Sequence, residues 1–411
     1  MYKYRERNLE EIIVLICLCI LSMFVVVPQF KVYSLMTVAY MGIIAVLTLL
    51  MLRYAKNSEE WVYFLLATVF TVYTVIVPGL FGYGDLVNRH IALVPMVWMY
   101  VLYAYLNRNK AIKSAWYIMI FFGTITMLRT SKALISSPYI SRMVKSSGEF
   151  SANVLRQGIG DYSFIYAIVL MSISFFWLFL ERKGKKRIMY LLLTMVGGVT
   201  ILLSNYMMAL VLVGLGIMML AAFWLYRKNK IVFVIAVIML LIMLIFAKPI
   251  LHAVLDSLLP IIPEGKTYDR LLQMQLSLYG EGKNLFEEFW IDRIPVLCIS
   301  TESIKNYPWF GCVFGHLTKT DGYYNEFGQH SYVFDTMALY GVWSGVVLLI
   351  LLSYPFFVNG RMKGRKKELS ITMLVIMLIL TIFNNVAFSM AMVLYVIYPY
   401  ICDEGDKSYV K

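Results

Sequence analysis

The chain has 411 residues, of which 61% are apolar and only 15% charged. A typical soluble domain is about 45–50% apolar and about 25% charged. With a mean hydropathy of +0.74, this excludes a disordered chain, a coiled coil, a disulfide-stapled secreted domain and an ordinary cytosolic enzyme. The composition points to an all-α integral membrane protein. A helix needs about 20 apolar residues to cross a hydrocarbon core of about 30 Å, so the length accommodates about a dozen crossings plus loops. Aromatics at 15% fit interfacial belts. In a soluble protein the formal charge of +13 would raise nucleic-acid binding. Here Lys and Arg anchoring short cytoplasmic loops is the better account, and no nucleic-acid partner is expected.

In chain order, Lys3, Arg5 and Arg7 precede an apolar run over 12–27. That run ends in Val-Val-Val-Pro with no small-x-small cleavage site, so it reads as an uncleaved first span. Further runs cover 34–52, 61–80, 91–106, 115–128, 162–180, 188–203, 207–226, 231–246, 332–358, 369–383 and 386–400. With the N-terminus inside and twelve spans, the inner segments collect 23 of the 37 Lys and Arg, including the clusters at 182–187 and 361–367. Short loops are where the positive-inside rule holds. The alternation requires the tight joints at 204–206 and 384–385. Three regions follow: residues 1–247 with nine spans and a basic outer loop at 129–160, a large extracytoplasmic loop at 248–331, and 332–411 with three spans and a cytoplasmic tail.

The remaining basic residues are concentrated outside. Segment 129–160 holds Arg129, Lys132, Arg142, Lys145 and Arg156 against Glu149 alone. An excess of cations on a short outer segment calls for an anion, either a ligand or lipid head groups. Loop 248–331 carries Trp290, Trp309, Phe286, Phe289 and Tyr307, too apolar for disorder. Apolar spacing predicts a helix over 268–278. Asp292 as cap and Pro295 in the first turn predict another, running to about Asn306 and stopping before Pro308. The loop is thus expected to form a cap of about two helices over the membrane domain.

The inner loops are too small for a nucleotide-binding domain, and the chain has no P-loop and no Gly-rich dinucleotide turn. No Cys/His spacing fits zinc, and Cys298 and Cys312 in one loop are weak grounds for a disulfide. Chemistry is therefore expected outside, on donors that are lipid-linked. Histidine is scarce: His90, His252, His316 and His330. His330 lies in Gly328-Gln329-His330-Ser331-Tyr332, where the outer loop enters the tenth run. A helix N-terminus disfavours imidazolium and keeps the ring able to accept a proton. The plain alternative is an interfacial cap.

Several stretches carry a resemblance. Asp292-Arg293-Ile294-Pro295, then Tyr307-Pro308-Trp309-Phe310-Gly311, Gly315, His330-Ser331-Tyr332-Val333-Phe334-Asp335, Tyr340-Gly341 and Gly345 resemble the O-antigen ligase/polymerase superfamily. Gln157-Gly158-Ile159-Gly160-Asp161-Tyr162-Ser163-Phe164-Ile165-Tyr166 looks like a stretch of capsular and exopolysaccharide polymerases of this kind. Cys312 departs from the pattern, with the second turn glycine deferred to Gly315. The resemblance implies about twelve transmembrane helices in a GT-C-like glycosyltransferase architecture in a bacterial cytoplasmic membrane, with both termini inside and the active site outside. It implies a metal-independent enzyme without cofactor, acting on a polyprenyl (undecaprenyl) diphosphate-linked oligosaccharide beside membrane lipids and other polysaccharide assembly proteins. Arg293 matches the family arginine and His330 the family histidine, as base or orienting group on the acceptor hydroxyl. Arg129, Arg142, Arg156 and Arg270 are candidates for the diphosphate from the charge argument, because a planar guanidinium binds phosphate oxygens in pairs. A repeat-unit polymerase is favoured over a ligase on the 157–166 stretch. A flippase or transporter and a non-enzymatic assembly protein are the alternatives.

Overall fold

The computed structural model describes residues 2–32, 34–54, 58–86, 90–91, 93–106, 109–144, 148–245, 247–262, 266–279, 294–320, 323–385, 390–391 and 393–406. Its first half contains α1 (Tyr2–Val26), α2 (Ser34–Tyr54), α3 (Ser58–Leu80), α4 (Leu93–Leu106) and α5 (Asn109–Ser136). Two short helices, α6 (Ile140–Met143) and α7 (Gly148–Arg156), lead to α8 (Tyr162–Glu181), α9 (Lys185–Leu203), α10 (Met207–Lys228) and α11 (Lys230–Ile245). Then come α12 (Ala247–Leu258), α13 (Lys266–Tyr279) and α14 (Ile294–Asn306). A hairpin pairs Lys319–Thr320 with Tyr323–Tyr324. The chain finishes with α15 (Tyr332–Tyr340), α16 (Val342–Phe357), α17 (Lys366–Phe383), a π turn at Val393–Ile397 and α18 (Tyr398–Asp406). Among the described residues, six helices are long and apolar enough to cross a membrane: α1, α3, α5, α8, α9 and α10. The protein is an all-α, multi-pass membrane protein.

The burial pattern matches that solvent. Helix α8 is apolar all round and buried without a break from Phe164 to Phe175, so it forms the centre of the bundle. Helix α3 instead exposes Leu65, Val69, Val72 and Ile76. Their spacing of four, three and four places them on one face, a stripe suited to lipid.

Two runs depart from the sequence reading. The run at 115–128 is the middle of a 28-residue helix, α5, which continues to Ser136 and carries Arg129 and Lys132. The run at 332–358 is two helices broken at Gly341. Gly341 has φ +91°, and a Cβ there would lie 2.1 Å from the Trp309 carbonyl oxygen, so no other residue fits. Segment 308–313 crosses the break and meets its exposed backbone. The amides of Cys312 and Val313 donate to the carbonyls of Ala338 (2.9 Å) and Leu339 (3.1 Å), and the Val342 amide donates to the Pro308 carbonyl (2.8 Å). Chain ends inside a membrane domain need such partners, because there is no water to supply them.

Prolines raise the same demand within helices. Pro78 and Pro355 lie inside α3 and α16 and lack the N–H that would bind the carbonyl four residues back. For Pro78 that carbonyl is Thr74, and Tyr340 donates its hydroxyl to it at 3.4 Å. For Pro355 it is Leu351, which accepts from both Tyr63 (3.0 Å) and Tyr395 on the π turn. Tyrosines from other helices thus replace the missing amide hydrogens.

Residues from one set of helix ends bind one another. Glu181, at the end of α8 and only 3% exposed, receives Arg227 from the end of α10 and Arg365 (3.4 Å) from the turn before α17. Arg227 also binds Glu368 at 3.2 Å. Arg53 binds Glu10 at 3.0 Å, joining α1 to α2. The opposite ends carry the polar junction described below.

The Leu351 carbonyl gives a test. Tyr63→Phe or Tyr395→Phe alone leaves one donor in place and lowers Tm slightly. The double variant strands the carbonyl, at a cost of about 1–3 kcal/mol. Thermal unfolding of the purified protein should therefore show a loss in the double variant greater than the two single losses combined.

Candidate functional site

The junction is built from the starts and ends of α5, α8, α10, α15 and α17. Helix α8 begins at Asp161, whose Oδ1 accepts from the Phe164 amide (2.9 Å) as an N-cap. The other oxygen of Asp161 binds Lys31 at 2.6 Å. The preceding Gly160 amide donates to Thr130 of α5 at 2.8 Å. Gly158 has φ +77°, and a Cβ there would lie 2.7 Å from the Gln29 amide and 2.9 Å from the Arg129 guanidinium. A glycine at this turn lets Arg129 pack against the backbone.

Asn384, at the end of α17, joins the two motif stretches. Its side chain accepts from the Tyr162 hydroxyl at 2.8 Å. Its backbone carbonyl accepts from the Tyr332 amide at 3.2 Å. Ser331 caps α15 by accepting from the Phe334 amide (3.0 Å), and its hydroxyl donates to the Thr381 carbonyl (3.3 Å). Tyr332 also meets the buried His90, hydroxyl to Nδ1, at 2.8 Å. Residues 157–166 and 330–335 are therefore one structural unit.

A cation enters from the side. Arg142 donates to the Asn205 carbonyl, and its guanidinium lies 4.6 Å from the centre of the Tyr206 ring. Tyr206 packs on Tyr162 (5.2 Å) and Tyr166 (6.2 Å). Burial raises the Tyr206 phenol above its ordinary value, with Arg142 pulling the other way. The ring stays neutral and its hydroxyl remains a donor. Asn205 and Gln329 are the described non-glycine residues with positive φ, both at +58°. One is next to Tyr206 and the other next to His330. Such conformations cluster at functional sites.

The predicted residues fare differently. His330 is not the helix cap; that role falls to Ser331. His330 is the exposed residue before it, and its Nδ1 lies 2.9 Å from the Gly328 carbonyl. A carbonyl only accepts, so Nδ1 carries the hydrogen and the neutral ring has its lone pair on Nε2. Arg142 and Arg129 reach the junction. Arg156 is exposed and binds Asn153 (3.2 Å) on its own helix, apart from this cluster. Arg270 is carried by α13, which packs through Leu271 on Leu255, Leu259 and Ile262, with Leu202 and Met207 at the joint beside Tyr206. Arg293, Lys145, Asp292, Phe286, Phe289 and Trp290 lie outside the described residues. The sequence assigns no site role to Lys31, Asn205, Tyr206, His90 or Asn384, although His90 is one of its four histidines and the 204–206 and 384–385 joints are needed for the alternation. Their signal was position: polar residues at the joints of apolar runs, where a membrane chain carries them at a cost.

The stretch expected to form the outer loop, 248–331, has three described helices rather than about two, plus the hairpin. Ser300 of α14 donates to the buried Asp335 of α15 (2.8 Å) and accepts from the Gly328 amide (3.0 Å), which ties the loop to the His330 turn. None of the five cysteines is in a disulfide. Among the described residues no three His, Cys, Asp or Glu side chains gather as metal ligands. No protein-family model matches the chain, and no curated protein matches it.

The hairpin is latched to the 81–86 turn through Asp85, which binds Lys319 (3.0 Å) and the Tyr324 hydroxyl (2.6 Å). Burial pushes the Asp85 carboxyl up, but the bonds from Tyr324 and Lys319 outweigh it and hold the group below its ordinary 3.8. A depressed carboxylate stabilises above its unfolded value and ceases to do so as pH falls through its folded one. The latch should hold at neutral pH and open only below about pH 3.8. Asp85→Asn should open it at pH 7, read as faster amide exchange over 318–326.

Proposed function

We propose that this protein is a membrane glycosyltransferase that polymerises polyprenyl-diphosphate-linked oligosaccharide repeat units at the outer face of a bacterial cytoplasmic membrane. The reading includes twelve crossings with both termini inside. It is carried by one observation: the 157–166 and 330–335 stretches, far apart in sequence, share Asn384, with Arg142 and Lys31 alongside.

On this reading an acceptor hydroxyl gives its proton to Nε2 of His330 while its oxygen attacks the anomeric carbon of the donor. The bond from that carbon to the lipid diphosphate breaks, and the diphosphate leaves with the electron pair. Its charge is taken up by arginines, with Arg293, Arg142 and Arg129 as the candidates and Arg156 and Arg270 in reserve. Guanidinium groups suit this because they hold phosphate oxygens through paired hydrogen bonds.

The test is incubation of purified protein with a lipid-linked repeat unit. A polymerase yields a ladder of products; a ligase yields a single addition to a different acceptor; a flippase yields neither. His330→Ala should lower turnover by roughly 10²–10⁴-fold while donor binding persists. Arg293→Lys should lose about 10–150-fold, since one charged hydrogen bond is worth about 1.5–3 kcal/mol. Normal ladders from both variants would remove these residues from the mechanism.

Sidedness has a native reporter, because Cys298 is exposed and the other cysteines are buried or half-buried. A membrane-impermeant maleimide should label intact cells at Cys298, and Cys298→Ser should lose the label. In that background Lys185→Cys should react only after permeabilisation. Labelling of residue 185 in intact cells would reverse the topology.

A further inference from the structure

Three polar atoms buried at the junction have no hydrogen-bond partner: one from Asn384, the hydroxyl of Tyr206 and Oδ1 of Asn205. Their residues are 0%, 5% and 1% exposed. For Asn384 the result does not depend on how the amide is oriented. The Tyr162 hydroxyl engages one atom of the amide, and the other stays unmet either way. Asn205 uses its Nδ2 on the Pro138 carbonyl (3.4 Å), which leaves Oδ1 as an acceptor. Such atoms occur elsewhere in the chain too, but three on residues joined through Tyr162 mark a place where water or a ligand supplies the partners.

The surroundings narrow what that is. The rings of Tyr162, Tyr166 and Tyr206 pack on one another at 4.9–6.2 Å, with the Arg142 cation against Tyr206. Tyr162 and Arg142 are half-buried and touch the residues that carry the deeper atoms. An acyl or prenyl chain would leave the amide and phenol unmet. A simple anion would make no use of the aromatic walls and could not donate to Asn205. A pyranose ring meets both conditions, with hydroxyls that donate and accept and a C–H face that packs on an aromatic ring.

We propose that Tyr162, Tyr206, Asn205 and Asn384 form a saccharide subsite that seats a neutral pyranose ring beside Arg142. The sugar class deepens the polymerase reading and rests on it for its place in the reaction; the subsite itself rests on the unmet atoms.

The experiment uses the full chain in nanodiscs with free glucose, galactose, N-acetylglucosamine and N-acetylgalactosamine as probes, read by saturation-transfer NMR. At least one should receive magnetisation from the wild type. Tyr206→Phe keeps the ring and removes only the unmet hydroxyl. It should weaken that sugar by about 2–12-fold, the worth of one hydrogen bond, and leave Tm unchanged or higher because no internal bond is lost. Asn384→Leu should weaken it at least as much. Absence of transfer from all four probes to the wild type, unchanged binding in both variants, or a lowered Tm in Tyr206→Phe would each overturn the subsite. Sugar binding without a product ladder would leave the subsite standing and remove the polymerase. A ladder with unaltered binding in both variants would do the reverse.

Discussion

Every backbone amide and carbonyl within a bilayer must find its partner inside the protein, and this chain interrupts its helices repeatedly. At Pro78 and Pro355 the freed carbonyls are met by tyrosine hydroxyls from distant helices. At Gly341 they are met by the backbone of segment 308–313. At Asn384 the terminal carbonyl is met by the amide that opens α15. Each repair joins parts of the chain that hydrophobic contact alone would leave free to slide, since lipid tails pack against apolar helices as well as another helix does. Register between the helices is therefore set by polar contacts at breaks, and the breaks are also where the candidate site residues gather.

Tyr340 shows how closely the two are coupled. Its hydroxyl repairs α3, its ring packs on His90 at 5.7 Å, and its neighbour Gly341 receives the 308–313 segment. His90 meets Tyr332 at the other end of the same short helix. Helix α15 is thus held at both ends, at its start by Asn384 and Thr381 and at its finish by Cys312 and Val313. His330 lies two residues before this fixed element and has an imidazole hydrogen bonded to the backbone. That bond fixes the tautomer and the orientation of the ring.

Much of the helix content was legible because apolar runs in a membrane protein are long and bounded by charge. The 268–278 spacing and Pro295 likewise mark helices that exist as α13 and α14. The break at Gly341 was not legible. The run from 332 to 358 is apolar on both sides of it, glycine is common in membrane helices, and its cause is a segment about thirty residues upstream that crosses it in space. The site was legible only in part. His330 and Arg142 were visible as a scarce residue and a misplaced charge. Asn384 and Tyr206 sit in joints whose one visible feature in the sequence is their shortness. What makes them matter is that separate helix ends converge there, and no local pattern encodes that.

The Glu181 network has a consequence for the order of assembly. Arg227 follows Glu181 by 46 residues and Arg365 by 184. At about 5–20 residues per second of synthesis, the first cation emerges within roughly 2–9 s and the second only after roughly 9–37 s. During that interval α8, the most buried helix, ends in a carboxylate whose surroundings are incomplete. Its mate from the α17 turn arrives last, after α12, α13 and α14 have all been made. The central helix is therefore among the earlier parts to be made and among the later ones to be finished, and the half-built bundle must keep that end in contact with water until the C-terminal helices dock.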